Sequence, residues 1–341
     1  MINRSKLARS TGVVLVTGGT GFIGRHLVRE LARENPRSTV RVLSRRAGVT
    51  ELFEPLPNVE YVKGDLIDPS SVARHLENVV SVFHLAGLKG EPTPARPANL
   101  FRQINVEATH TLLDLSARSG VSLFVLMSST GVFGNNDVNH CTEDDPCVPG
   151  NVYERTKLEA ENIVRGYSGI PALRRLILRP SNVFGEDHPQ RHLLTLMKSV
   201  AKGRFGLLRG KEAWVNYVYV KDVSRAAVDL ARDERATGTY VINDVTSMAD
   251  FIGLIRKYLE NPGTVHRYPY LPTLAAAAAL DVVSRVTGTR FPLTVSKVRA
   301  LANTQVFVSD RVKKVCPEYP VWGLEMGLRN TIENYAAQGW L

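Results

Sequence analysis

Cysteine is scarce in this chain of 341 residues: there are three, Cys141, Cys147 and Cys316. They form no CxxC and no metal-ligand spacing, which argues against a disulfide framework and against a metal site. A reducing cytoplasm suits that usage. Long apolar runs are also missing. The longest, TLAAAAALDVV at 273–283, falls short of the roughly 20 residues that a membrane-crossing helix needs. It reads as a buried helix, the alternative being a weak contact with a membrane surface. No basic run exceeds a pair such as Arg45-Arg46 or Lys313-Lys314, and no basic stripe has aromatics interleaved, so nucleic acid is not the expected partner. The polar start MINRSKLARSTG lacks the apolar stretch of a secretory signal.

What is present is ordinary globular material, 44% hydrophobic and 22% charged, enough for one large or two closely joined domains. The net charge of +10 is scattered over single Arg and Lys residues and suits small anionic ligands. GVVLVTGG (12–19) is a continuous apolar run of β-branched residues, as in a buried parallel strand. FIGRHLVRELARE (22–34) has helical periodicity, and TVRVLSRR (39–46) is a second strand. The alternation continues through VEYVKGDL (59–66), a helix near 69–78, VVSVFHLAG (79–87), a helix near 99–119, VSLFVLMSS (121–129), a helix around Tyr153, and RRLILRPSNVFG (174–185). This pattern predicts an α/β fold with a Rossmann-type doubly wound parallel sheet. Beyond 180 a helix near 191–202, a strand pair around 205–221, a helix at 222–233, GTYVINDV (238–245) and a mostly helical stretch from 247 are expected. No internal repeat occurs. Residues 11–180 read as a dinucleotide-binding domain and 181–341 as a smaller, mostly helical substrate-binding part interleaved with it.

VTGGTGFIG spaces Gly18, Gly21 and Gly24 as GxxGxxG, directly after a strand and opening a helix. Backbone N–H groups there approach a pyrophosphate at the positive helix end. The acid that usually binds ribose after the second strand is absent, and Ser44, Arg45 and Arg46 stand in its place. Arginine pairs with a 2′-phosphate, so NADP(H) is favoured over NAD(H), the alternative being that both arginines are simply solvated. Asp65 and Leu66 end the third strand where an adenine would lie, although an aspartate there equally caps a helix. Tyr153 and Lys157 are four apart in VYERTK, hence on one helical face, where such a pair is commonly ordinary surface decoration. A nearby ammonium in a partly dry site has the magnitude, about 4 kcal/mol, to bring a tyrosine pKa toward neutrality.

Taken together, TGGTGFIG (17–24), GDLID (64–68), HLAGLKG (84–90), Asn105 in INVEAT, SSTGVFG (128–134), YERTKLEAE with Tyr153 and Lys157, and RPSNVFG (179–185) resemble the extended short-chain dehydrogenase/reductase family, which includes NAD-dependent sugar epimerases and dehydratases. The resemblance covers about residues 12–230, and the final LEMGLRNTIENYAAQGWL is similar to the end of many nucleotide-sugar members. It implies that Tyr153 is the general acid/base, that Lys157 holds the nicotinamide ribose and lowers the tyrosine pKa, and that Ser129 hydrogen-bonds the reacting oxygen, with Thr130 as the fallback. It further implies cofactor contacts from Gly18, Gly21, Phe22, Ile23, Gly24, Ser44, Arg45, Asp65, Leu66, Leu85, Ala86, Gly87, Lys89, Asn105 and Pro180. For Asn105 the alternative is an amide that bonds the neighbouring strand. Lys89, Asn182 and Arg204 are further substrate-binding candidates, and Ser181 would lie near the nicotinamide. His84 reads as a packed strand-end histidine, and Cys141 and Cys147 have no assigned role.

Two departures from the family pattern narrow the function. Dehydratases follow the catalytic hydroxyl with Asp-Glu, where this chain has Thr130 and Gly131. Many nucleotide-sugar members carry a diphosphate-clamping arginine before the xYVxVxDV segment, where Val215 stands here; Arg204, Arg209 or Lys211 in the basic GRFGLLRGK segment would supply the charge instead, a solvated loop being an equal alternative. The leading expectation is an NADP(H)-preferring oxidoreductase or 4-epimerase of a UDP-linked nucleotide-sugar that makes a cell-surface glycan precursor. The rival resembles 3β-hydroxysteroid dehydrogenase and dihydroflavonol reductase, and a non-catalytic dinucleotide-sensing protein ranks third. By resemblance, helices near 99–119 and 150–167 would form a homodimer.

Overall fold

The apolar side chains of VVLVT point to both faces of a strand and are covered on both, as a strand inside a parallel sheet requires; Val14, Leu15 and Val16 are fully buried. In the computed structural model, which describes residues 12–46, 56–134, 138–170, 172–260, 262–289, 291 and 293–341, this run is β1 (Val13–Thr17) of a seven-stranded sheet. β2 (Thr39–Ser44), β3 (Val59–Lys63), β4 (Val79–His84) and β5 (Leu123–Met127) follow, then strands Arg174–Pro180 and Gly238–Ile242. Across the sheet the order is Gly238–Ile242, Arg174–Pro180, β5, β4, β1, β2, β3, with every pair parallel. The winding therefore reverses between β1 and β4, and the crevice beyond their carboxyl ends is where such a sheet receives ligands. Helices Phe22–Glu34 and Val220–Arg232 cover one face, and Ala108–Arg118 and Val152–Gly166 the other.

The alternation expected up to residue 180 is present, and the first helix has the expected bounds. Departures come where the chain changes partners. The helix expected near 69–78 is only Pro69–Ala73, capped by Asp68, and Asn78 at φ +59° turns the chain into β4. The run 174–185 breaks at Ser181, and Asn182–Phe184 joins a second sheet, parallel to Trp214–Tyr219. GTYVINDV likewise divides at buried Asn243, because Asp244–Ser247 pairs antiparallel with Trp214–Tyr219. The strand pair expected around 205–221 is not a pair: Gly206–Arg209 runs beside His266–Pro269 instead.

Helix Gly323–Ala337 is fastened to the sheet layer through its amino end. Asp222 accepts from the backbone N–H of Val321, Trp322 and Gly323 at 2.8–3.0 Å, and Asp244 from that of Leu324 at 3.0 Å. Two carboxylates thus satisfy the orphan donors at the positive end of that helix.

The apolar 273–283 segment lies in helix Tyr270–Thr287, and the expectation that it is buried is overturned. Only Ala277 is buried, while Leu271, Val282, Val283 and Val286 are exposed. Beneath it is a small cluster centred on Leu208, Ala277 and Val298, so among the described residues the helix packs on one side. No helix among the described residues is long and apolar enough to cross a membrane.

Candidate active site

The β1 turn brings the backbone to the crevice at a distance only glycine allows. Gly18 has φ +71°, and a Cβ there would lie 2.6 Å from the Ala86 backbone nitrogen. A Cβ on Gly24 would lie 2.1 Å from the Gly18 carbonyl oxygen, so the first turn of Phe22–Glu34 presses against the loop that precedes it. Gly21 caps this helix with no side-chain partner, leaving its first N–H groups directed at the crevice. The crevice is a cavity of about 440 Å³, and of the expected contacts Gly18, Gly21, Ser44, Arg45, Asp65, Leu66, Leu85, Ala86 and Gly87 line it. A glycine cradle that any Cβ would fill, open to a helix amino terminus, fits a dinucleotide pyrophosphate. Phe22 and Ile23 turn away into the core cluster around Phe184.

Two polar networks set the shape of the β4 side. His84 is fully buried, with Nδ1 2.6 Å from Thr17 Oγ1 and Nε2 2.9 Å from Thr109 Oγ1. Thr109 spends its hydroxyl proton on the Asn105 carbonyl, so His84 donates from Nε2 and accepts at Nδ1. Burial, reinforced by the charge on Lys157, holds its pKa down to about 3. A neutral strut, and not a base, is what this histidine supplies. Asn105 sits in a π-helical turn, Gln103–Glu107. It accepts from Leu88 N–H at 2.7 Å and donates to the Leu88 carbonyl and to Thr156 Oγ1, both at 3.0 Å. Its amide therefore clips the loop after β4 in place.

Helix Val152–Gly166 starts where it does because Asn151 accepts from Glu154 N–H at 3.0 Å and Glu154 reaches back to Gly150 N–H at 2.7 Å, a close variant of a capping box. Tyr153 is consequently in the first turn and Lys157 one turn deeper. Ser129, two residues beyond β5, accepts from Gly131 N–H at 3.1 Å and is near enough to Tyr153 to lower its pKa. Lys157 is buried, and its Nζ donates to the Met127 carbonyl at 2.6 Å. Burial lowers its pKa to about 8, with buried Glu161 opposing. The expected depression of the tyrosine pKa by Lys157 is not what this arrangement gives: burial raises Tyr153, Ser129 lowers it and Glu154 raises it. The ammonium is turned to the β5 backbone. Thr130 is buried in the 3₁₀ turn behind Ser129.

The softer candidates scatter. Pro180 ends its strand beside Ile242, and the Asn182 amide donates to the Asn216 carbonyl at 3.0 Å. Exposed Lys89 is near enough to His188 for its charge to help lower that histidine. Arg204 is exposed and lines neither described cavity, whereas Arg209 and Lys211 line a second one of about 490 Å³ together with Arg267. Val215 is a core residue, packed with Phe184, Leu193 and Phe251. Leu88 and Ile104 also line the crevice and were missed, because an aliphatic residue in a loop or helix carries no sequence signal for a ligand.

A Rossmann-type sheet with this crevice and this Ser–Tyr–Lys group defines an NAD-dependent enzyme of the short-chain dehydrogenase/reductase class. The chain belongs to the NAD dependent epimerase/dehydratase family, whose model matches residues 14–243. It is 29% identical over 277 residues to the uncharacterized protein y4nG of Sinorhizobium fredii, a match spanning 80% of this chain and 66% of that protein. It is 26% identical over 351 residues to the decarboxylating sterol-4-alpha-carboxylate 3-dehydrogenase of Candida albicans, covering 96% of this chain and 98% of the relative. Among solved structures, MoeE5 in complex with UDP-glucuronic acid and NAD superposes with a TM-score of 0.71 at 24% identity, over 96% of this chain and all of that one (100%); this likeness is one of fold.

Proposed function

We propose that the protein is an NADP(H)-preferring oxidoreductase that interconverts a ketone and a secondary alcohol on an apolar, lipid-like substrate. Val215 carries the substrate class: where nucleotide-sugar members place the diphosphate-clamping arginine, this chain has an aliphatic side chain that is 7% exposed in a core cluster. Similarity to a sterol dehydrogenase along nearly the whole of both chains supports the same reading. The exposed Arg45 and Arg46 follow Ser44 at the crevice, which supports a 2′-phosphate.

In this reading Tyr153 is the general acid/base and Ser129 holds the reacting oxygen through its hydroxyl. The raised Tyr153 pKa keeps the phenol protonated, the form that donates to a carbonyl oxygen, so ketone reduction is the direction the site favours. The bound nicotinamide supplies or receives the hydride. Lys157 holds its ribose and, being buried with a pKa near 8, carries the proton that restores the tyrosine. A homodimer through the faces of Ala108–Arg118 and Val152–Gly166, in a reducing cytoplasm, completes the proposal; its mass in solution tests the dimer.

A second reading, a UDP-linked sugar, is favoured by the 490 Å³ cavity with Arg209, Lys211 and Arg267 on its wall. One pair of assays separates the two: NADPH oxidation with a 3-ketosterol carried in cyclodextrin, and calorimetric titration with UDP. Turnover of the ketosterol without UDP binding is expected. Micromolar UDP binding together with UDP-hexose turnover, and inertness to the sterol, would overturn the apolar assignment while leaving Tyr153 and the crevice in place.

A further inference from the structure

Helix Tyr270–Thr287 directs most of its apolar surface at solvent. Leu271, Ala275, Ala278, Ala279, Val282 and Val286 recur at helical spacing along its solvent side, and all are exposed. Leu271 is 73% and Val286 82% exposed. Pro272, Ala276 and Val283 widen this stripe, so no polar side chain interrupts it. The side toward the protein is mixed: Leu274 and Ala277 join the small cluster beneath, Asp281 is partly buried and accepts from Val295 N–H at 3.1 Å, and Ser284 is partly buried. An apolar stripe from Leu271 to Val286, about 24 Å long at 1.5 Å per residue, directed at water, is the reverse of what a helix on a core requires.

The surroundings indicate what covers it. Arg267 and Tyr268 precede the helix and are exposed, Arg285 sits at the edge of the stripe, and Lys297 and Arg299 are exposed on the neighbouring Val295–Ala300 helix. Lys211 lies over the Tyr270 ring at 5.2 Å. Across residues 262–304 Asp281 is the sole acidic residue, and its carboxylate already accepts a backbone N–H. An apolar stripe with tyrosines at one end and a margin in which Arg267, Arg285, Lys297, Arg299 and Lys211 outnumber Asp281 and the exposed Glu212 is the composition of a helix lying in a lipid interface, where aliphatic side chains enter the acyl boundary and cations meet anionic headgroups.

We infer that the exposed face of helix Tyr270–Thr287 docks the protein on an anionic lipid bilayer, lying in the interface without crossing it. Every group invoked is on this helix or against it, and the substrate reading above is not needed. The test is co-sedimentation of the full chain with vesicles of phosphatidylcholine alone and of phosphatidylcholine with phosphatidylglycerol. Binding to the anionic vesicles, weakened by salt, is expected. The combined variant Leu271→Ser, Val282→Ser, Val286→Ser should bind at least about tenfold more weakly, and Arg267→Gln with Arg285→Gln should erase the preference for phosphatidylglycerol. Both variants change exposed side chains, so cofactor binding and melting temperature should stay at wild-type values and certify the fold. Recovery of the wild-type chain in the supernatant with every vesicle overturns the inference. So does a wild-type dimer that the serine variant converts to monomer with vesicle binding unchanged, which would make this face a contact between copies. Ketosterol turnover in cyclodextrin is read separately, so vesicle binding and substrate class fail or stand independently.

Discussion

Replacing Glu161 with Gln tests how the structural core and the reaction centre are coupled. Glu161 is 0% and Arg179 1% exposed, and they meet through three contacts: Arg179 Nε to the two carboxylate oxygens at 3.0 and 3.2 Å, and an NH2 contact at 2.7 Å. Arg179 also donates to the Glu143 carbonyl at 3.2 Å and lies over the Phe133 ring. Removing one charge leaves the other buried and unpaired, a loss of about 3–5 kcal/mol. At roughly 2 °C per kcal/mol for a chain this long, the melting temperature should fall by roughly 6–10 °C. Arg179→Met added to Glu161→Gln should recover much of that, because a neutral pair carries no uncompensated charge. The second consequence is at the site. Glu161 is the group that raises Lys157 against burial, so its neutralisation lowers the lysine pKa below about 8. On the proposed role, activity is present while Lys157 is an ammonium and declines as pH rises through its pKa; the alkaline limb of the kcat profile should therefore move to lower pH in Glu161→Gln. Circular dichroism melts and NADPH-oxidation pH profiles check both arms. A variant that melts within about 1 °C of wild type, with its alkaline limb unmoved, would refute the reasoning.

Gly24→Ala forces a Cβ to 2.1 Å from the Gly18 carbonyl oxygen and 2.7 Å from Gly19 Cα. Backbone meets backbone there, so a loss of about 1–3 kcal/mol and weaker calorimetric binding of NADP should appear together; wild-type affinity would remove the cradle argument. Tyr153→Phe should lower kcat by about 10²–10⁴-fold with NADP affinity unchanged, and near-wild-type turnover would eliminate the phenol as acid. Arg45→Glu should lower the NADP-over-NAD preference by about tenfold, measured as the ratio of kcat/KM values, and an unchanged ratio would return Arg45 to solvent.

The parts of this molecule that read directly from sequence are those whose surroundings are the same on every side. β1, β4 and β5 are buried on both faces, so a continuous apolar run identifies them without knowledge of their neighbours. The glycine spacing is equally local, since Gly18, Gly21 and Gly24 constrain one another within a single turn. Legibility fails where the partner is distant or absent. Gly206–Arg209 and Trp214–Tyr219 are adjacent in sequence yet lie in different sheets, because each short strand takes its register from a segment tens of residues away. The segment 273–283 has the composition of a core helix, and composition cannot say on which side the protein lies. The same limit applies at the reaction centre. Tyr153 and Lys157 are legible as a pair four apart, but the direction of the ammonium is set by the Met127 carbonyl at the end of β5, a group with no side-chain signature. That single contact decides the electrostatics. With Lys157 turned to the backbone, burial dominates Tyr153 and leaves it a proton donor. On the proposed roles, alcohol oxidation needs the phenolate, whose formation burial opposes, whereas ketone reduction uses the phenol. Measuring the forward and reverse kcat as functions of pH separates the two: the oxidation rate should climb with a pKa set by Tyr153, while reduction stays flat until Lys157 deprotonates near 8. Identical profiles in both directions would refute the assignment of the phenol to reduction and the phenolate to oxidation.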